Sequence, residues 1–147
     1  MTSIEEIKNN VLLLRPNNQS IPQEEITICD KKFQDLQFVI SSFESMVFSD
    51  FLSFPNMKAQ ANEFIVSAHD ISHKILLTSS SCLTKFTLKD DKDQSMLQYK
   101  FFITACEILS LYFRNAETLM QQTLEVLNYG SKTQQLSEKH SLNLEAT

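Results

Sequence analysis

The sequence predicts an all-α fold, an antiparallel bundle of three long helices and one short N-terminal helix. In four segments, apolar residues recur at intervals of three and four, which is the period of a helix with one buried face. The chain of 147 residues contains a single glycine, Gly130, whereas average use near 7% would supply about ten. Because glycine provides the positive φ angles of tight hairpins, its scarcity favours helices joined by Asn, Asp, Ser and Pro loops.

The first predicted helix covers residues 3–14. Its apolar stripe is Ile4, Ile7, Val11 and Leu14. Ser3 and Glu6 have the spacing of a capping box, and Pro16 ends the helix. Residues 15–30 are polar and predict a loop, with a short extended segment over 25–29.

The second helix is predicted over 31–53, with Asp30 as its N-cap. Its wide stripe includes Phe33, Leu36, Ile40, Phe43 and Val47. A stripe of this width indicates a bundle, because more than one neighbour is needed to cover it. Pro55 is expected in the first turn of the third helix.

The third helix begins near residue 56, and we expect it to break near 79, where Thr-Ser-Ser-Ser is a poor helix-forming run. A minor alternative is an α+β fold with a small hairpin within 72–103. Thr84, Phe86 and Leu88 alternate as a strand would, and 96–102 is the candidate partner. The charged residues 89–93 predict a turn.

The last long helix is predicted over 95–128, with Gly130 at its C-terminal cap. Its stripe runs without a slip through Phe102, Cys106, Leu109, Phe113, Ala116, Met120, Thr123 and Leu127. Residues 131–147 are mostly polar. We therefore expect a single helical domain over 1–130 and a flexible polar tail over 131–147.

Charge and cysteine content indicate which classes of partner are disfavoured and which cellular compartment is expected. The net charge is −5, and the basic residues are scattered, which disfavours nucleic acid and anionic membranes as partners. The three cysteines form no closely spaced pair, so no disulfide framework is predicted. Without an apolar run near residue 1 to serve as a signal peptide, the expected compartment is the cytoplasm, or the outside after export by a route that reads no N-terminal signal.

The motifs do not predict an enzyme or a cofactor. Phosphate-binding loops, dinucleotide fingerprints and nucleophile elbows need several glycines close together, and this chain has one. The zinc-protease motif His-Glu-x-x-His is absent from the sequence. His69 and His73 have the spacing of two zinc ligands, but zinc needs at least one more protein ligand. Asp70 is one step off their helical face and His140 lies in the tail, so no metal site is predicted.

The segment around these histidines carries the alternative function. Asp70-Ile71-Ser72-His73 resembles the phosphoacceptor box of sensor histidine kinases, and His69-Asp70 resembles the His-Asp pair found in some of their relatives and in standalone phosphotransferases. The resemblance implies that His69 or His73 accepts a phosphoryl group while Asp70 positions a proton. Lys74 departs from it, because an acidic residue follows the kinase histidine. The simpler interpretation is that both histidines are solvated surface residues.

The leading expectation is a non-catalytic interaction protein such as an adaptor, escort chaperone, inhibitor or oligomer subunit. Several large apolar residues lie off the main stripes, more than a small bundle covers easily, and exposed apolar patches mark binding surfaces. The predicted partner is another protein or a second copy of the chain. The candidate contact residues are Phe38, Phe48, Leu97, Phe101, Ile108 and Leu111.

Overall fold

The computed structural model describes residues 2–51, 53–85 and 91–146, with side chains described up to Gly130 except that of residue 91. All the regular secondary structure in these ranges is helical. It consists of α1 (Ser3–Leu12), α2 (Gln23–Asp50), α3 (Pro55–Lys85) and α4 (Asp91–Ala146). The predicted bundle of three long helices and a short N-terminal helix is confirmed.

The helices alternate in direction along the chain. Phe33 contacts Phe102, and Phe43 contacts Phe113, so α2 and α4 run in the same direction. Glu6 lies against His69, and Asn10 against Ser72, so α1 runs in the same direction as α3. α4 packs on both α2 and α3, while α1 packs mainly on α3. The central position of α4 explains its uninterrupted apolar stripe.

The short helix α1 begins one residue earlier than its predicted cap. Thr2, not Ser3, is the N-cap, and it forms a reciprocal capping box with Glu5. Ile4, Ile7 and Val11 are buried, as the spacing predicts. α1 is 10 residues long, about a third of the 31 residues of α3. The corner of the bundle that α1 occupies is therefore covered along only part of the length of α3.

The prediction that residues 23–30 form a loop is wrong, because α2 begins at Gln23 after Pro22. Residues 25–29 are helical and not the expected extended segment. Cys29 is buried and Ile26 is partly buried, so the apolar stripe of α2 begins about one turn before the expected cap at Asp30. Glu24 and Glu25 in the first turn stabilise the positive end of the helix dipole. Asp30 is not a cap, and its carboxylate lies 2.7 Å from the Arg15 guanidinium.

The expected break near residue 79 and the alternative hairpin within 72–103 are also wrong. α3 begins at Pro55, as predicted, but continues to Lys85, and residues 91–103 belong to α4. Ser72 and Ser79 are both buried on the core face of α3. Tertiary packing of small side chains therefore outweighs their low helix propensity. Residues 86–90, with the first two residues of the predicted charged turn over 89–93, lie outside the described residues. The prediction of a turn is wrong for residues 91–93, which form the start of α4.

α4 is longer at both ends than predicted. Asp91 begins it, and the helix passes through Gly130 without a positive φ angle, so Gly130 is not a C-terminal cap. The helix extends to Ala146. The side chains of 131–146 lie outside the described residues, and the assignment of 131–147 as a flexible tail stays a prediction.

Candidate functional site

Two apolar stripes run along α4, on different faces of the helix. The inner stripe is fully enclosed by the bundle, with every member at most 3% exposed: Phe102, Ala105, Cys106, Leu109, Phe113, Ala116 and Met120. The outer stripe follows the same helical period, at steps of three and four. Its members are Leu97, Phe101, Thr104, Ile108, Leu111, Asn115, Leu119, Gln122, Val126 and Tyr129.

The outer stripe is accessible to solvent along most of its length. Ile108 is 43% exposed, Leu111 60% and Val126 70%. Leu97 and Phe101 are half-buried, and Phe101 also packs against the core. Four of the six residues predicted to bind a partner thus fall on one continuous face. Sequence reasoning missed Leu119 and Val126, although the same spacing could have identified them.

The other two predicted contact residues lie apart on α2. Phe38 is 75% exposed and Phe48 is 68% exposed. They are ten positions apart, which separates them by about 15 Å along a helix and turns them to different sides. Phe38 has no exposed large apolar neighbour within one helical turn on α2. The six predicted residues therefore do not form one patch.

Phe48 lines an open groove in the partly filled corner of the bundle. The groove has a volume of about 550 Å³ and lies between the second half of α2, the first half of α3 and the N-terminus of α1. Its apolar walls include Ile4, Val47 and Ile65, and Glu44 and Lys58 also line it. The groove follows from the short length of α1, which leaves the far part of the corner uncovered.

The two histidines of α3 have different surroundings. His69 is half-buried, and its Nε2 lies 2.6 Å from the Glu6 carboxylate of α1. His73 is exposed. Asp70 lies 3.1 Å from Lys74, one turn further along the same helix. The expectation that both histidines point away from the bundle therefore holds for His73, whereas His69 faces α1.

A partly buried polar contact joins α1 to the same part of α3. The Asn10 amide donates to the Ser72 hydroxyl at 3.0 Å, and that hydroxyl donates to the His69 carbonyl at 2.7 Å. The sequence analysis missed the role of Ser72, because a serine on an apolar helix face gives no signal of its partner. The contact fixes the position of α1 on α3.

The buried cysteines lie on facing helices and are poor candidates for nucleophiles. Cys106 on α4 is 1% exposed, and burial raises the pKa of its thiol to about 12. Burial also raises the pKa of the Cys29 thiol on α2. A nucleophilic cysteine needs the opposite shift, because the thiolate is the reactive form. Cys82 on α3 is half-buried.

Nearby on α2, Glu25 has one buried carboxylate oxygen without a hydrogen-bond partner. The pKa of the neighbouring Tyr99 hydroxyl is raised, mainly by burial and to a smaller extent by the charges of Cys29 and Glu25. Within the described part of the chain, no group of three His, Cys, Asp or Glu side chains is arranged to hold a metal ion. None of the described helices is long and apolar enough to cross a membrane.

Comparison of the chain with models of known families, with curated proteins and with solved structures finds no match.

Proposed function

We propose that the protein is a non-catalytic interaction module that binds another protein, or a second copy of itself, through the outer stripe of α4. The observation that carries this proposal is the continuity of the stripe, which keeps helical spacing from Leu97 to Tyr129 while most of its apolar members stay exposed. Single exposed apolar residues are common on monomeric proteins, whereas several aligned on one helix face favour a binding surface.

Burial of this face in a complex would contribute favourably to binding. Complete burial of a Leu, Ile or Val side chain contributes about 1.5–3 kcal/mol. Ile108, Leu111, Leu119 and Val126 are each between 43% and 70% exposed, so each retains a large part of that free energy for binding. Part of the total is offset by the entropy lost on association.

A protein partner fits the surface better than nucleic acid or a membrane. The stripe is apolar with polar interruptions at Thr104, Asn115 and Gln122, which suits a partner helix lying along it. The net charge of −5 opposes binding to phosphate-rich partners. The three cysteines are free thiols, which supports the cytoplasm or another reducing compartment.

The test is a quantitative pull-down from the native host with Leu111→Asp beside the wild type. A charged side chain at Leu111 should reduce the bound partner at least about tenfold, because it would be buried without a counter-charge. Gln60→Asp is the matched control, since residue 60 is exposed on α3, which packs against the other side of α4. Equal capture by Leu111→Asp and the control would refute the proposal.

The alternative is a histidine phosphotransfer protein, favoured by the exposure of His73 midway along α3. Incubation with a phosphohistidine donor should then label the wild type with an acid-labile phosphate, and His73→Gln should abolish the label. His69→Gln is the control, because His69 is already engaged with Glu6. Absence of the label from the wild type would exclude this alternative.

A further inference from the structure

We propose that the outer stripe binds a second copy of this chain, with the two α4 helices antiparallel and Glu107 of each copy facing Arg114 of the other. This inference rests on the proposed function, since it names the partner of the same surface. The observation behind it is a row of charged residues beside the stripe. Two such rows bring opposite charges together only when the two helices run in opposite directions.

The charged residues lie along one flank of the outer stripe. Lys100, Glu107 and Arg114 follow one another at intervals of seven, and all three are exposed. In paired helices, residues at this position beside the apolar seam form the salt bridges that determine orientation. Glu107 already lies 3.0 Å from Lys32 of α2, but its side chain remains 56% exposed. It is therefore accessible to a second partner.

Antiparallel pairing brings the apolar residues and the charges together in one register. Suppose that Ile108 of one copy lies opposite Leu111 of the other. Glu107 of the first copy and Arg114 of the other are then two residues away from lying directly opposite each other. This offset is about 3 Å along the helix axis, which long side chains span easily. The two-fold symmetry forms the salt bridge twice, once on each side of the axis.

Parallel pairing does not satisfy these charges. It places the flank with Glu107 beside the opposite flank of the second copy, where Ala105 and Tyr112 lie. Ala105 is buried and Tyr112 packs on Phe64 of α3. Neither residue offers a counter-charge, so charge complementarity favours the antiparallel arrangement.

The polar members of the stripe fit the same register. With Ile108 opposite Leu111, Thr104 lies opposite Asn115 of the second copy, and Leu97 lies opposite Gln122. Both Thr104 and Asn115 are exposed in the isolated chain, and a hydroxyl and an amide can hydrogen-bond across the pair. A polar residue within an apolar seam costs stability but fixes the register of the helices. The paired segment from Leu97 to Gln122 is about 38 Å long.

The first test is charge reversal measured by sedimentation equilibrium. The wild type should dimerise, and Glu107→Arg or Arg114→Glu should each weaken the dimer about tenfold or more, because each places like charges together twice. The double variant carrying both changes should recover most of the wild-type affinity. Lys32→Ala is the matched control, since it removes the partner of Glu107 within the chain but leaves the proposed contact intact.

The second test distinguishes the two helix directions by disulfide formation in a Cys82→Ser background. Thr104→Cys and Asn115→Cys variants should cross-link when mixed, and neither should cross-link efficiently with itself. Self-cross-linking of Thr104→Cys alone is the signature of parallel pairing and would overturn the inference.

The outcomes separate this inference from the proposed function. A wild type that stays monomeric at about 100 μM, well above the Kd of typical specific complexes, would overturn self-association, while the pull-down would still test the surface. Leu111→Asp could dissociate the dimer while the double charge reversal fails to restore the affinity lost in the single variants. This result would support the outer stripe as the binding surface and overturn the antiparallel register. A dimer that Leu111→Asp leaves intact would overturn self-association through the outer stripe, and equal capture of another protein by Leu111→Asp and the wild type would then refute the proposed function as well.

Discussion

The inner and outer stripes of α4 follow the same helical period on one helix, yet the inner stripe is buried in the bundle and the outer stripe is largely exposed. Phe113 and Leu109 of the inner stripe are completely buried, whereas Leu111, between them in sequence, is 60% exposed. Both stripes contain Leu and Phe, so the hydrophobicity of the residues does not decide which face is covered. The difference arises because α2 and α3 occupy one side of α4, and none of the described helices packs on the other side.

This contrast in burial indicates that the two stripes have different roles. The inner stripe stabilises the fold, and the outer stripe is available for binding. Substitutions on the inner stripe should therefore change the free energy of unfolding, and substitutions on the outer stripe should change association.

The largest expected effect is on the inner stripe. Phe113→Ala should lower the free energy of unfolding by about 3–5 kcal/mol, because the ring is fully buried and contacts both Phe43 and Tyr112. Urea denaturation is the measurement. Phe38→Ala is the matched control, since Phe38 is 75% exposed, and its stability should change by no more than about 0.5 kcal/mol. Equal losses of unfolding free energy in the two variants would contradict the distinction between buried and exposed apolar faces.

The sequence predicts the inner stripe well and the outer stripe only in part. The predicted stripe keeps a regular interval and is buried from Phe102 to Met120, whereas Thr123 is half-buried and Leu127 is 38% exposed. The outer stripe is interrupted by Thr104, Asn115 and Gln122, so its apolar members resemble isolated surface residues. Only the three-dimensional arrangement of α2 and α3 shows which side of α4 is left open.

The boundaries of α2 and α3 show a second limit of sequence reasoning. Local propensity places a loop before residue 31 and a break near 79, but both segments are helical. In each case a small side chain, Cys29 or Ser79, packs into the core. The stabilisation comes from tertiary contacts, which the local sequence does not reveal. For the same reason, the hydrogen bond between Asn10 and Ser72 could not be predicted.

A second prediction concerns alkaline pH and the inner residue Cys106. Burial raises the pKa of the folded thiol from 9.0 to about 12, so the unfolded chain loses this proton first. The stability from this group is complete below pH 9 and is lost as the pH rises toward 12, by about 1.4 kcal/mol per pH unit. Urea denaturation between pH 8 and 11 measures the decline.

The control for this prediction is Cys106→Ala, which removes the titrating group. Its stability should decline less steeply above pH 9 than that of the wild type. A residual decline is expected, because the pKa of Cys29 and that of Tyr99 are raised as well. Identical slopes for the wild type and the variant would contradict the assignment of Cys106 as a buried neutral thiol.

A smaller effect is expected where α1 meets α3. Asn10→Ala should lower the free energy of unfolding by about 1 kcal/mol, because the half-buried amide donates to the buried Ser72 hydroxyl. Asn18→Ala is a control at an exposed position and should have less effect. Thermal unfolding followed by circular dichroism measures both, and no loss in Asn10→Ala would show that apolar packing alone positions α1.

The most direct test of the outer stripe combines stability and binding in one preparation of Leu111→Asp. Because Leu111 is exposed in the isolated chain, its free energy of unfolding should stay within about 0.5 kcal/mol of that of the isolated wild-type chain. Binding, measured as dimer dissociation or as loss of the captured partner, should be weakened at least about tenfold. Unchanged stability with lost binding would establish the outer stripe as an interaction surface. Retained binding, or a loss of stability comparable to that of Phe113→Ala, would contradict the account.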